Sequence, residues 1–335
     1  MTARWRTILV AITVAVVAVA TGSAIVLLVG RPGPVKVRPP PSPGTSGRAA
    51  PRPLSSPFTG EPVPSLRPVL AVKIDNYVLA RPQTGLTRAD IVYVLPVEGG
   101  LSRFLAIFSS HLPPVIGPVR SARQDDIELL RQFGRPAFAF SGAQPQLLPV
   151  VEHSRIVDLY DGVAGGYYRS PARAAPYNLY AHARNLAAEG RGATTAHDIG
   201  FRFGPAPPGG RATAAFSVSY PAASLRFKWS AGRQRWLVWM DGSPALTTDG
   251  GQLHPATVVI QYTTVRTSRF LEQGVRPPYA QSTGSGRAVV LRGGRAYDGR
   301  WSRPSAPSGT TFTLPGGKKM DFARGQVWVV LTAKG

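Results

Sequence analysis

VKIDN at Val72–Asn76, ARPQTGLTRADIVYV at Ala80–Val94, PVEGGLSRFLAIF at Pro96–Phe108 and IGPVRSAR at Ile116–Arg123 belong to one stretch whose apolar runs are interrupted by charge at a few fixed points. VLAVKI (Val69–Ile74), IVYVLPV (Ile91–Val97) and FLAIF (Phe104–Phe108) have strand length, and their unbroken apolar character predicts burial on both faces. Each ends at, or begins just after, a polar residue that a core does not require: Asp75, Glu98, Arg103 or Arg120. Charges at strand ends gather along one edge of a sheet, which is where sites are built. The stretch locates a candidate site and names no reaction.

Outward from it, helices and strands mix irregularly. Thr87 caps one helical turn, and DDIELLRQFG (Asp125–Gly134) reads as a helix with acids in its first turn and a glycine stop. PAFAFSG (Pro136–Gly142) is a buried strand and Pro145–His153 a short helix. NLYAHARNLAAEG (Asn178–Gly190) has its apolar residues at helical spacing. After the loop GPAPPGG (Gly204–Gly210) the pattern becomes nearly all strand. Ser224–Gly242 reads as a hairpin closed near Ala231–Arg233, followed by strands in Ala256–Val265, Gly286–Trp301, Thr311–Leu314 and Gln326–Thr332. Their polar–apolar alternation predicts antiparallel strands with one wet face. The expected fold class is α+β: a mixed α/β domain over residues 65–205, packed with a β-rich antiparallel domain over residues 212–333, after an N-terminal transmembrane helix.

That helix is expected in residues 1–30, where an uncharged run from Thr7 to Gly30 follows Arg4 and Arg6. The run is about the ~20 residues that span a bilayer, longer than a signal-peptide core. It reads as an uncleaved anchor with the short N-terminal tail inside, although basic residues on both sides leave the orientation weakly marked. Residues 31–64 form a Pro/Gly/Arg-rich tether, without an acid before Glu61, suited to lie against an anionic membrane or wall. The formal net charge is +22, but lysine occurs only at six positions and many arginines sit singly in loops. No nucleic-acid motif interleaves them, so no nucleic-acid partner is expected. The chain has no cysteine, which excludes disulfides, thiolate metal sites and cysteine nucleophiles.

IDN, ARPQTGLTRADIVY, VEGGLSRFLAIF and GPVRSAR, in that order and spacing, resemble the YerB-like proteins (domain of unknown function 3048). So do VVIQY, GSGRAVVLRGG, DGRW at Asp298–Trp301 and the closing GQVWVVL. The resemblance covers roughly Glu61 to Leu331. It implies a bacterial, envelope-attached protein with a mixed α/β N-terminal and a β-rich C-terminal domain, and supplies no mechanism. Many such proteins are lipoproteins. Without a cysteine this chain has no residue to carry the lipid, and the apolar N-terminal run is left to do the anchoring.

Asp75 and Glu98 are candidates for acid–base work or for holding a divalent cation. The alternative is that Asp75 caps a turn with Asn76 and that Glu98 pairs with Arg103 or Arg120 to hold the fold. Arg120 and Arg123 flank Ser121 beside a helix start and suit a phosphate or carboxylate, or a structural network with Asp125, Asp126 and Glu128. Asn76, Arg103, Arg120 and Arg123 are the candidate ligand-binding residues. The five histidines lie far apart, so no metal site and no cofactor is expected. Trp229, Trp236 and Trp239 form a cross-strand cluster or, if exposed, a sugar-stacking face.

Taken together, these residues suggest a single-span protein of the bacterial cytoplasmic membrane, folded outside the cytoplasm, that binds an anionic or carbohydrate-containing envelope component, wall polymer or lipid. The reading leans away from catalysis. An enzyme acting on a wall polymer or phosphate-bearing precursor through the carboxylate/arginine site is the first alternative, and a scaffold recruiting another membrane protein the second.

Overall fold

Apolar runs with a period of two fill a sheet whose strands carry core residues on both faces. The computed structural model describes Gly33, residues 53–272 and residues 274–334. Strands β1 (Leu70–Asp75), β2 (Ile91–Pro96) and β3 (Ser102–Phe108) are buried at every residue, as their composition predicts. Helix α1 (Gln124–Leu130) follows, then β4 (Ala137–Phe140), helix α2 (Leu148–Glu152), β5 (Val157–Tyr160) and helix α3 (Ala183–Glu189). Thereafter come β6 (Ala215–Tyr220), β7 (Ala223–Ser230), β8 (Arg235–Met240), β9 (Thr257–Thr263), β10 (Gly284–Arg292), β11 (Arg295–Arg303), β12 (Thr311–Thr313) and β13 (Val327–Ala333). Among the described residues no helix follows Gly210.

One mixed sheet runs β12-β11-β10-β9-β13-β2-β3-β1-β4-β5, with the short strand Arg211–Ala212 added on β11. Strands β1, β2 and β3 pair antiparallel, as do β9, β10 and β11. β13 lies between β9 and β2 and runs parallel to both. The expectation of a purely antiparallel second half is corrected there. So is the expectation of a wet face: β9 and β13 are buried almost throughout, because they occupy the middle of the sheet. β11, nearer the edge, keeps the alternation.

Alternate residues point to two cores. One holds Val72, Ile74, Val92, Phe104, Val258 and Trp328, covered by β7, β8 and α3. The other holds Ala71, Tyr93, Leu105, Val259 and Val329, covered by α1, α2 and a phenylalanine cluster. In the hairpin, Trp236 is fully buried and Trp229 sits opposite it, ring centres 5.3 Å apart. Trp239 lies on the other face of β8, under the Lys228 ammonium at 4.2 Å.

Two expectations fail locally. Leu179–His182 is a strand, paired with Val115–Ile116 and Tyr167–Arg169, and only the second half of the predicted helix is helical. Tertiary pairing overrides the helical spacing of Leu179. The tether also ends earlier than residue 64: Phe58 is fully buried, edge-on to Phe133 with ring centres 5.5 Å apart. Two buried apolar residues, Phe58 and Val63, within a proline- and glycine-rich segment leave no periodic signal. The predicted transmembrane helix, residues 1–30, lies outside the described residues. Among those described, no helix is long and apolar enough to cross a membrane.

Candidate functional site

β1, β2 and β3 finish at one end of the sheet, and their register sets the first contacts. Asp75 closes β1 directly opposite Arg103 of β3, which in turn faces Leu95 of β2. The β2–β3 turn runs through Glu98, Gly99 and Gly100, with both glycines at φ near +69°, where a side chain would be strained. At Gly100 a Cβ would also stand 2.7 Å from the Pro221 side chain, so the turn packs tightly on the loop between β6 and β7. Residues 117–123 return along β1: the Asp75 N–H donates to the Pro118 carbonyl and the Arg120 N–H to that of Lys73. This brings Arg120 and Arg123 to the same edge.

The charges then pair closely. Arg120 Nε donates to Asp75 Oδ2 at 2.9 Å, and the other Asp75 oxygen accepts the Tyr77 N–H at 3.1 Å. Arg123 grips Glu98 in a fork, Nη2 to Oε1 at 2.5 Å and Nε to Oε2 at 2.8 Å. Arg103 Nη2 reaches Glu98 Oε1 at 3.0 Å, and Arg123 also meets Glu272 at 3.2 Å. Burial raises the Glu98 pKa, but the Arg123 hydrogen bond and the two nearby guanidiniums outweigh it and hold the carboxyl at about 2. Burial and the neighbouring Arg123 charge lower Arg103 to about 10, still protonated at neutral pH.

The structure thus brings Asp75, Glu98, Arg103, Arg120 and Arg123 together, although Arg120 and Arg123 turn to different carboxylates. Glu98 pairs with Arg103 and Arg123; Arg120 pairs with Asp75. Asn76 is buried and internal to the network: its amide donates to Ser102 Oγ at 3.0 Å, and its carbonyl oxygen accepts from Gln83 at 3.1 Å. Beneath this layer Lys73 Nζ meets Asp126 Oδ1 at 2.7 Å, with both side chains fully buried. Asp125 beside them is also buried, and its two carboxylate oxygens have no hydrogen-bond partner among the described residues. Its pKa is raised, chiefly by burial and against the pull of Lys73.

Asp75, Glu98, Arg103 and Arg120 line a cavity of about 220 Å³ together with Tyr77 and Tyr177. The two tyrosine rings stack, centres 5.4 Å apart and planes inclined by 26°. Sequence reasoning missed Tyr177 and Glu272, which come from loops distant in sequence and carry no motif. Tyr77 follows IDN directly and was within reach. Arg123 is 3 % exposed in its side chain and Arg120 24 %. Arg120 uses only its Nε, and its two terminal nitrogens have no protein hydrogen-bond partner among the described residues. The cavity can therefore accept hydrogen bonds from a ligand through its carboxylates and offer it an unsatisfied guanidinium end. Among the described residues no cluster of three or more metal-ligating side chains occurs.

Residues 58–196 match the family model described as "Protein of unknown function (DUF3048) N-terminal domain", and residues 216–329 match that of its C-terminal domain. A Bacillus subtilis protein named "Putative lipoprotein YerB" is 26 % identical over 291 residues, covering 82 % of this chain and 85 % of the relative. The crystal structure of YerB protein from Bacillus subtilis superimposes with a TM-score of 0.70 at 23 % identity, over 84 % of this chain and 97 % of that one. The fold is shared between them.

Proposed function

This chain belongs to the DUF3048 family, and from that membership we propose that it is a membrane-attached protein working outside the cytoplasm, where it binds an anionic, carbohydrate-containing component of the cell envelope. The relative's printed name supports the location. In place of a lipid-bearing cysteine, the apolar run ending at Gly30 serves as the single-span anchor.

The observation that carries the binding reading is the free end of Arg120 in a cavity walled by the Tyr77–Tyr177 stack. Guanidinium ends recognise oxyanions through paired N–H donors, and tyrosine rings offer flat apolar surface to a sugar. Glu98 is poorly matched to acid–base catalysis: a carboxyl held at about 2 remains ionised and is a weak base near neutral pH.

Co-sedimentation of the full chain with isolated anionic cell-wall material tests this. Binding is expected at low salt, weaker at high salt as screening shortens the reach of charge, and reduced by Arg120→Ala. Equal sedimentation of wild type and Arg120→Ala at low salt would count against the cavity.

A further inference from the structure

We infer that the Arg120 cavity is selective for a sugar residue bearing a single carboxylate and disfavours a phosphorylated one. The inference rests on the binding reading above and concerns which anion the same cavity accepts.

The geometry of Arg120 comes first. Its Nε is committed to Asp75 Oδ2 at 2.9 Å, which removes one edge of the guanidinium. What remains is the end formed by the two terminal nitrogens, whose parallel donors match the two oxygens of one carboxylate. Ser102 lies in the same wall, its Oγ accepting from the Asn76 amide at 3.0 Å.

The second argument is charge. Arg103, Arg120 and Arg123 are matched one for one by Asp75, Glu98 and Glu272, and the site holds no surplus cation. Arg103 also lines the cavity but is turned onto Glu98, and Arg123 is almost fully buried, so the free donors that meet the ligand's charge are those of Arg120. A phosphate monoester carries about −1.5 to −2 near neutral pH. Its second charge would sit against the carboxylates of Asp75 and Glu98, which line the same cavity. A monocarboxylate brings one charge to one free guanidinium end. Sugar hydroxyls, as donors, suit the Glu98 oxygens that still reach solvent, with the ring lying on Tyr77 and Tyr177.

Saturation-transfer NMR on the full chain with D-glucuronate, D-glucose 6-phosphate and D-glucose tests the selectivity in the wild type, before any variant is needed. Glucuronate is expected to bind about tenfold more tightly than either of the other two, the scale of one charge-assisted bidentate contact. Arg120→Lys keeps the charge against Asp75 but loses the fork, and should remove most of glucuronate's advantage over glucose. Tyr177→Ala should weaken all three sugars. Glucose 6-phosphate binding as tightly as glucuronate overturns the carboxylate selectivity and leaves the anion-binding reading standing. No sugar binding, with wall co-sedimentation still dependent on Arg120, overturns the sugar-acid assignment alone. Loss of both overturns the underlying reading with it.

Discussion

Asp75 and Arg103 face each other across the β1–β3 ladder, yet each pairs its charge elsewhere: Asp75 with Arg120 at 2.9 Å and Arg103 with Glu98 at 3.0 Å. A row of alternating charge results, from Arg120 through Asp75, Arg103, Glu98 and Arg123 to Glu272. It ties two strand ends, a turn and two loops into one edge. Its buried members hold the edge in shape, and Arg120 at the outer end keeps donors to spare.

Glu98→Gln should lower stability at neutral pH by about 2 kcal/mol, less than the ~3–5 of a fully buried pair because Glu98 still reaches solvent. Melting should fall by several degrees at roughly 2–4 °C per kcal/mol. Glu98 is held below its ordinary pKa, so its contribution is full above about 4.5 and is lost as pH falls toward about 2. The gap between variant and wild type in thermal melts should therefore narrow under acid; a constant gap would show that Glu98 acts through packing alone.

Asp125 has the opposite sign. Its folded-state pKa is raised by burial, so above the ordinary aspartate range the native state holds a proton that the unfolded chain has released. Stability drains as pH rises through that window. Asp125→Asn abolishes the drain, and urea denaturation should show the variant gaining on wild type between about pH 4 and pH 7. An unchanged difference across that range would contradict the assignment.

Lys73→Met leaves Asp126 charged and buried, and should cost about 3–5 kcal/mol. Lys73→Met with Asp126→Leu removes both charges and should recover part of that loss, although the Arg123 N–H then loses its acceptor on Asp126. A double-mutant cycle by denaturant unfolding measures the coupling; strictly additive losses would mean that the pair does not interact.

The tryptophans separate by face. Trp236→Ala empties a fully buried site and should cost about 3–5 kcal/mol. Trp239→Ala removes a ring that meets Lys228 on the outer side, worth about 0.5–1 kcal/mol. Melts of the two variants check the ordering.

The strands from Leu70 to Phe108 were legible because burial on both faces leaves an unbroken apolar run, and the β7–β8 hairpin because a polar turn near Ala231–Arg233 separates its two strands. Asp75, Glu98 and Arg103 were legible as a group because strand ends sort charge to one edge. The strand at Leu179–His182 was hidden, since its partners lie in other segments and its own spacing also fits a helix. The parallel placement of β13 depends on which two strands flank it, which no local pattern encodes. Tyr177 and Glu272 reach the site through loop geometry, and a lone tyrosine or glutamate in a loop carries no signal of its destination.

The position of β13 also sets the order in which the molecule can be finished. Val327–Ala333 is the last strand of the chain, yet it fills the middle of the sheet, between a strand that ends at Pro96 and one that begins at Thr257. Until β13 is in place, β2 and β9 each present an open edge with no strand to join them. The native sheet cannot close until Val327–Ala333 has paired on both sides, and this long-range closure slows folding relative to local pairing. A chain from which β13 is withheld is left as two part-sheets, each with one unpaired edge.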